Sequence, residues 1–352
     1  MIKKLFKRWF IDAMGSMAQG LFASLLIGTI FKALGMIPGL GILAEIGGYA
    51  QTVAGPAMGV AIAYSMGGSA LVVFSAAAVG FAANKLGGAG GPLAVFFIVI
   101  AAVEIGLLVS KKTKIDIIVT PFVTILTGGL LSVYVAPYIG KAVGYISSAI
   151  DWAAVQSPLI TGIVVSVIMG IVLTLPISSA AICAGLVLTG SAAVSGSSVG
   201  LAIAGGAAVA GCCAHMVGFA VASFKDNGFG GLLSQGLGTS MLQMPNINRH
   251  PQLWIPPVVA SAITGPLATC VFRMRMYSEP INSGMGTCGL LGPIGVVLGW
   301  IDPANGYPDA VTAFDWIGLV LICFVLPAII SWLVAAAMRK SGLIKKGYMK
   351  LS

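Results

Sequence analysis

The sequence predicts an all-α polytopic membrane protein, with about ten transmembrane helices, two re-entrant or broken-helix hairpins and an interfacial amphipathic helix. Three observations carry this reading. Hydrophobic residues are 58% of the 352 positions and charged residues 8%, whereas a soluble domain needs about a quarter of its residues charged to wet its surface. The apolar runs are long and continuous, unlike the roughly ten-residue alternating segments of a membrane β-barrel. A glycine pattern, Gly-x-Gly-Thr-[Ser/Cys]-x-Leu-x-x-Pro, also occurs twice in flexible, glycine-rich segments: Gly236, Gly238, Thr239, Ser240, Leu242, Pro245, then Gly284, Gly286, Thr287, Cys288, Leu290, Pro293.

Taken in order, residues 1–12 set Leu5, Trp9 and Phe10 against Lys3, Lys4, Lys7 and Arg8, a pattern suited to the surface of an anionic leaflet. The first span covers residues 13–34 and continues without a small-residue cleavage site, so no cleavable signal is expected. A glycine-broken stretch with Pro38 and Glu45 follows. Residues 50–83 are interrupted at Ser65, Gly67, Gly68 and Ser69, and two crossings there keep the 111–114 loop on the same side as the N-terminus. Gly87 to Gly91 with Pro92 read as a turn; residues 93–110 and 115–137 read as spans. The more polar 138–155 segment, with Lys141 and Asp151, suits the interface. Residues 159–188 carry Pro176, which should break the helix because it lacks an amide hydrogen and its ring clashes with the preceding turn. Residues 200–222 are rich in glycine and alanine, as close helix contact requires. Spans 254–271 and 316–338 flank the second repeat, with 279–300 counted as a crossing or a hairpin.

This yields four expected parts: the surface helix 1–12, an N-terminal transmembrane scaffold 13–156, a substrate-carrying part 157–338 with hairpins 223–251 and 279–300, and a basic tail 339–352. Lysines and arginines cluster at 3–8, 111–114 and 339–350, beside apolar runs. That distribution orients both termini toward the cytoplasm and leaves the formal charge of +9 explained without nucleic acid. The six cysteines have neither metal-ligand nor redox spacing and read as small buried residues. Phosphate-binding loops and catalytic elbows are likewise missing from the sequence. No catalytic residue, cofactor or metal is expected, and ATP-driven transport by this chain alone is excluded.

The chemistry is expected at the repeats, because interrupted helices free backbone groups near the membrane midplane. One span separates the two copies, so they would enter from opposite sides and meet at their tips. Thr239, Ser240, Gln243, Asn246, Asn248, Asn282 and Thr287 offer neutral groups for a hydroxylated solute; the competing reading is that they cap broken helices. Glu279 either accepts hydrogen bonds from sugar hydroxyls or balances Arg273 and Arg275. Asp226 is a substrate contact or the ion-pair partner of Lys225. His215 is a packing polar or a functional group, and Glu104 is expected to be a snorkelling or structural partner of Lys111 or Lys112.

Residues 115–144, IDIIVTPFVTILTGGLLSVYVAPYIGKAVG, resemble the "ivTPfltllitg" span and following amphipathic helix of enzyme IIC, the permease component of phosphoenolpyruvate-dependent sugar phosphotransferase systems of the glucose, lactose and fructose superfamily. Ser278, Glu279, Pro280 and Ile281 resemble that family's "TEPIE" sugar-site motif, with Asn282 in place of its second acid. LPISS at 175–179 stands where the family carries a histidine-bearing segment. GLGTSMLQMPNI and GMGTCGLLGPIG are similar to a divergent, standalone IIC-like branch of the PfoR toxin-regulator type. The resemblance implies a homodimer in a bacterial cytoplasmic membrane, with ten helices per protomer and a substrate-carrying part that moves as a rigid body. It makes Glu279 the sugar-binding glutamate and a soluble IIB-type phosphocarrier a partner, since phosphorylation would need separate IIA and IIB components. The rival functional reading is a membrane sensor that binds a solute and signals through a partner; a channel ranks third.

Overall fold

A computed structural model of the chain describes residues 5, 7–35, 39–154 and 156–351. Residues 1–4 and 6 of the expected surface helix, and residues 36–38, lie outside the described residues. Among those described, the regular structure is helical, without strands. Among the described residues six helices are long and apolar enough to cross a membrane, Arg8–Lys32, Ala70–Val109, Asp116–Ala154, Val199–Ala222, Pro251–Val271 and Ala313–Lys340, with shorter apolar helices at Pro158–Thr174 and Cys288–Ile301. Large apolar side chains such as Ile117, Phe122 and Tyr134 stand exposed on their outer faces, as lipid contact requires. This is a multi-pass membrane protein.

The chain divides into two compact units, Met1–Gly144 and Tyr145–Leu351. In the first, a π-helical turn Arg8–Asp12 runs directly into α1 (Ala13–Leu21) and onward to α2 (Ile27–Gly35). Then come α3 (Gly41–Thr52), α4 (Ala54–Ser65), α5 (Ala70–Gly87), α6 (Gly91–Val109), α7 (Asp116–Tyr134) and α8 (Ala136–Ala154), the last crossing the boundary between units. The turn at the glycine run is a short 3-10 segment, Gly88–Gly90, in which Gly88 takes φ +53, a conformation L side chains rarely adopt. It lets α5 and α6 pack as a hairpin.

Glu104 on α6 departs from expectation. It binds Arg8 Nη1 at 3.1 Å and accepts from Trp9 Nε1 at 2.7 Å, while Arg8 also donates to the Met66 carbonyl at 2.8 Å. Lys111 and Lys112 lie beyond the end of α6; Lys111 sits at φ +60 and its amide donates to Asp116. The chain turns away there, so those lysines do not meet Glu104.

The second unit contains α9 (Pro158–Thr174), α10 (Ser179–Gly185), α11 (Val199–Ala222), α12 (Phe224–Leu233), α13 (Met244–Arg249), α14 (Ile255–Pro266), α15 (Leu291–Ile301), α16 (Ala313–Val320) and α17 (Leu326–Lys340). Helix α9 ends where Pro176 demands: Leu175, the residue before the proline, is already extended at ψ 160. Helix α11 is the axis of the unit, with every residue from Ala204 to Met216 buried. Its small residues permit close crossings; a side chain at Gly211 would run into the Ser166 carbonyl of α9. Val209, Ala210 and Cys213 on its far side pack against Met274, Met276, Ile322 and Cys323.

Candidate solute site at the junction of the glycine repeats

Neither repeat forms a continuous span. In the first, α12 is kinked at Gly228 (φ 60, ψ −154), a π-helical turn covers Ser234–Gly238, Thr239 is extended, and a 3-10 turn Ser240–Gln243 leads into α13 with Pro245 in its opening turn. In the second, 3-10 turns Pro280–Gly284 and Cys288–Leu290 precede α15, with Gly286, Gly289 and Leu290 all at positive φ. The ten residues of α12 and eleven of α15 measure about 15 and 16 Å, short of the ~30 Å hydrocarbon core.

The two copies touch: the Thr287 hydroxyl donates to the Gly236 carbonyl. A side chain at Gly286 would collide with Cys212 of α11, so glycine there also allows the second copy to reach the axis. Pseudo-symmetry stops at that point. The Gly284 carbonyl, counterpart of Gly236, accepts from Ser179 Oγ at 2.6 Å, while Thr239, counterpart of Thr287, accepts from the amide of Met241.

Behind the first copy lies a buried chain of polar groups. Ser240 Oγ is 2.8 Å from Thr174 Oγ1, which is 3.2 Å from Nδ1 of the fully buried His215. The other ring nitrogen has no hydrogen-bond partner among the described residues and packs against Gly170, with Trp254 and Phe219 beside the ring. Thr174, on the last turn of α9, is a site neighbour that sequence reading missed; a hydroxyl ending a proline-broken helix was the available signal.

The expected solute groups separate into two sets. Around the second copy, Asn282 is buried and donates to Ser278 Oγ at 3.2 Å. Glu279 is exposed, and among the described residues its carboxylate has no partner. It does not balance Arg275, which instead binds Asp309 at 3.0 Å. An irregular run held by backbone bonds positions it: Met276 pairs through its backbone with Gly190 and Ala202, and Thr189 Oγ1 donates to the Ser278 carbonyl at 2.6 Å.

The other set binds the C-terminal residues. Gln243 donates to the Met349 carbonyl at 2.9 Å and Asn246 to that of Lys350 at 2.9 Å. Asn227 donates to Met349 O and accepts from the Leu351 amide, both at 2.8 Å. Its carboxamide thus supplies both halves of a backbone pairing. Gln235 links Gln243 to Ser223. Asp226 pairs with Arg339 at 2.8 Å rather than with Lys225, and accepts from the Gly347 amide. Asn248 lies half-buried on α13.

A family model described as "Phosphotransferase system, EIIC" matches residues 11–351, nearly the whole chain. The chain belongs to the EIIC family. No curated protein matches it. EIIC proteins are the membrane permease components of sugar phosphotransferase systems, which in general take a sugar as substrate and a IIB protein as partner. In this EIIC chain the segment resembling the sugar motif, Ser278 to Ile281, lies at the start of the second broken repeat, two residues past the backbone pairing of Met276. Its carboxylate stands clear of every described cation.

Proposed function

We propose that this EIIC chain is a permease for a small hydroxylated, sugar-like solute, carried by the unit that holds the two repeats. The contact between Thr287 and Gly236 supports the reading best. Two broken segments that abut bring backbone amides, carbonyls and neutral hydroxyls together, which is what a polar solute needs inside a membrane protein. Glu279 and Asn282 hold sugar hydroxyls in this reading, with Thr287, Thr239 and Ser240 at the contact between the repeats. His215 orients Thr174 and Ser240, and Asp226, Gln243 and Asn246 fix the first repeat to the C-terminal residues. Each charge-assisted bond to Glu279 is worth about 1.5–3 kcal/mol.

Movement of the carrier is an elevator motion, with Gly228 (φ +60) and Gly286 (φ +53) as pivots. The protein works as a homodimer with both termini cytoplasmic, the side that the basic clusters favour. A IIB-type phosphocarrier supplies the phosphoryl group where uptake is coupled to phosphorylation. A second reading, a solute sensor of the toxin-regulator type, is favoured by one observation: the C-terminal residues fasten the first repeat to the end of α17.

Uptake of labelled sugars, sugar alcohols and sugar phosphates into sealed vesicles, with and without a IIB-type phosphocarrier, separates the two. Accumulation of a solute that also stabilises the purified protein supports the permease. A solute that binds and never crosses under either condition sinks it in favour of the sensor.

A further inference from the structure

Beside the first repeat, the end of α17 and the start of α12 frame two adjoining depressions of opposite character. One is a cavity of about 550 Å³ whose walls include Lys225, Arg339, Lys345 and Lys346, with Asp226 as the sole carboxylate among the described residues. The other is a groove of about 340 Å³ lined by Phe224, Leu232, Trp332 and Ala336, among other apolar residues. Lys225 and Arg339 belong to both, so the basic cavity opens from the end of the apolar groove.

The charges do not cancel. Asp226 is spent on Arg339 and on the Gly347 amide, and its side chain is 1% exposed. Lys225, Lys345 and Lys346 are exposed, and none has an ion-pair partner among the described residues. Three cations are therefore gathered with no anion among the described residues to answer them. The burial of Ile344 and Met349 and the hydrogen bonds of the C-terminal residues hold Lys345 and Lys346 there. The groove runs along the last turns of the apolar span Ala313–Lys340, where Trp332 is 52% and Phe224 46% exposed. Trp332 precedes Arg339 by seven residues, about 10 Å along the helix, a separation that sets an acyl chain beside the indole and a headgroup phosphate among the lysines.

We infer that this paired cavity and groove bind a phospholipid with an anionic headgroup, the phosphate held by Lys225, Lys345 and Lys346 and one acyl chain by the groove. Charge complementarity selects the headgroup, and the apolar wall selects a lipid over a free phosphate. Because two of the three lysines reach the cavity through the C-terminal residues, lipid binding also holds those residues against the first repeat.

The test is thermal unfolding of the purified full chain in neutral detergent, titrated separately with phosphatidylglycerol, phosphatidylcholine and glycerol 3-phosphate. Phosphatidylglycerol should raise the midpoint saturably and the other two should not, since a ligand that binds only the folded state stabilises it by mass action. The triple variant Lys225→Gln, Lys345→Gln, Lys346→Gln changes exposed side chains and should weaken the phosphatidylglycerol response at least tenfold in concentration. Ala336→Trp, which fills the groove, should do the same with all lysines intact. Equal shifts with phosphatidylcholine, or a full response in the triple variant, would overturn the site. An equal shift with glycerol 3-phosphate would reassign the cavity to a soluble phosphate and remove the lipid.

Discussion

Thr287 donates its hydroxyl to the backbone carbonyl of Gly236, joining the two copies of the repeat across 51 residues of chain. Replacing it by valine keeps the shape and leaves that carbonyl unpaired, at a cost of about 1–3 kcal/mol. Thermal unfolding of Thr287→Val should show the loss, and Thr287→Ser should restore most of it. A serine variant as unstable as valine would mean that the methyl group matters and the hydrogen bond does not.

Glu279 offers the opposite kind of site, an exposed carboxylate without a partner among the described residues. Glu279→Gln should leave the unfolding midpoint unchanged and weaken sugar binding at least tenfold, about 1.4 kcal/mol. Calorimetric titration with a solute found in the uptake screen reads this directly; unaltered affinity would remove Glu279 from the solute.

Asn227 is bonded at both ends of its carboxamide to residues 349 and 351. Asn227→Ala should lower the midpoint by about 1–3 kcal/mol equivalent and speed proteolysis after Lys350. Proteolysis at the wild-type rate would mean that Gln243 and Asn246 suffice.

His250 stacks flat on Tyr348, centroids 3.6 Å apart and planes at 6°. Burial first, and then the Arg249 charge, lower its pKa from the usual 6.5. The folded state thus favours the neutral ring. Its stabilising contribution is fully present above pH 6.5 and is lost as the pH falls through the lowered folded-state value. Release of the C-terminal residues, followed by hydrogen exchange, should increase on acidification in the native chain and lose that dependence in His250→Phe.

Gly211 should tolerate no side chain. Gly211→Ala puts a methyl group into the Ser166 carbonyl, and overpacking of this kind costs about 1–3 kcal/mol or more. A midpoint equal to wild type would show that α9 and α11 can move apart freely.

Much of this architecture is written locally. Pro176 stops α9 and Gly88 turns the α5–α6 hairpin through backbone constraints that act within a few residues, and the repeat reveals itself by spelling. The shared pattern even anticipates the meeting of Thr287 with the other copy. What the sequence hides is long-range pairing. Glu104 finds Arg8 across 96 residues rather than the nearby lysines, because α6 ends between them. Gln243 and Asn246 bond the C-terminal residues across more than a hundred positions, and no periodicity records such a match. Polar side chains in a glycine-rich membrane segment look alike whether they await a solute or another part of the chain.

That long-range match has a consequence for biosynthesis. Asn246 leaves the ribosome 104 residues before Lys350, an interval of about 5–20 s at ordinary elongation rates. During it the amides of the first repeat must be hydrated or shielded by the insertion machinery. Their partners follow the last described span, so a chain truncated between Lys340 and Met349 would carry its described spans and leave the first repeat unlatched.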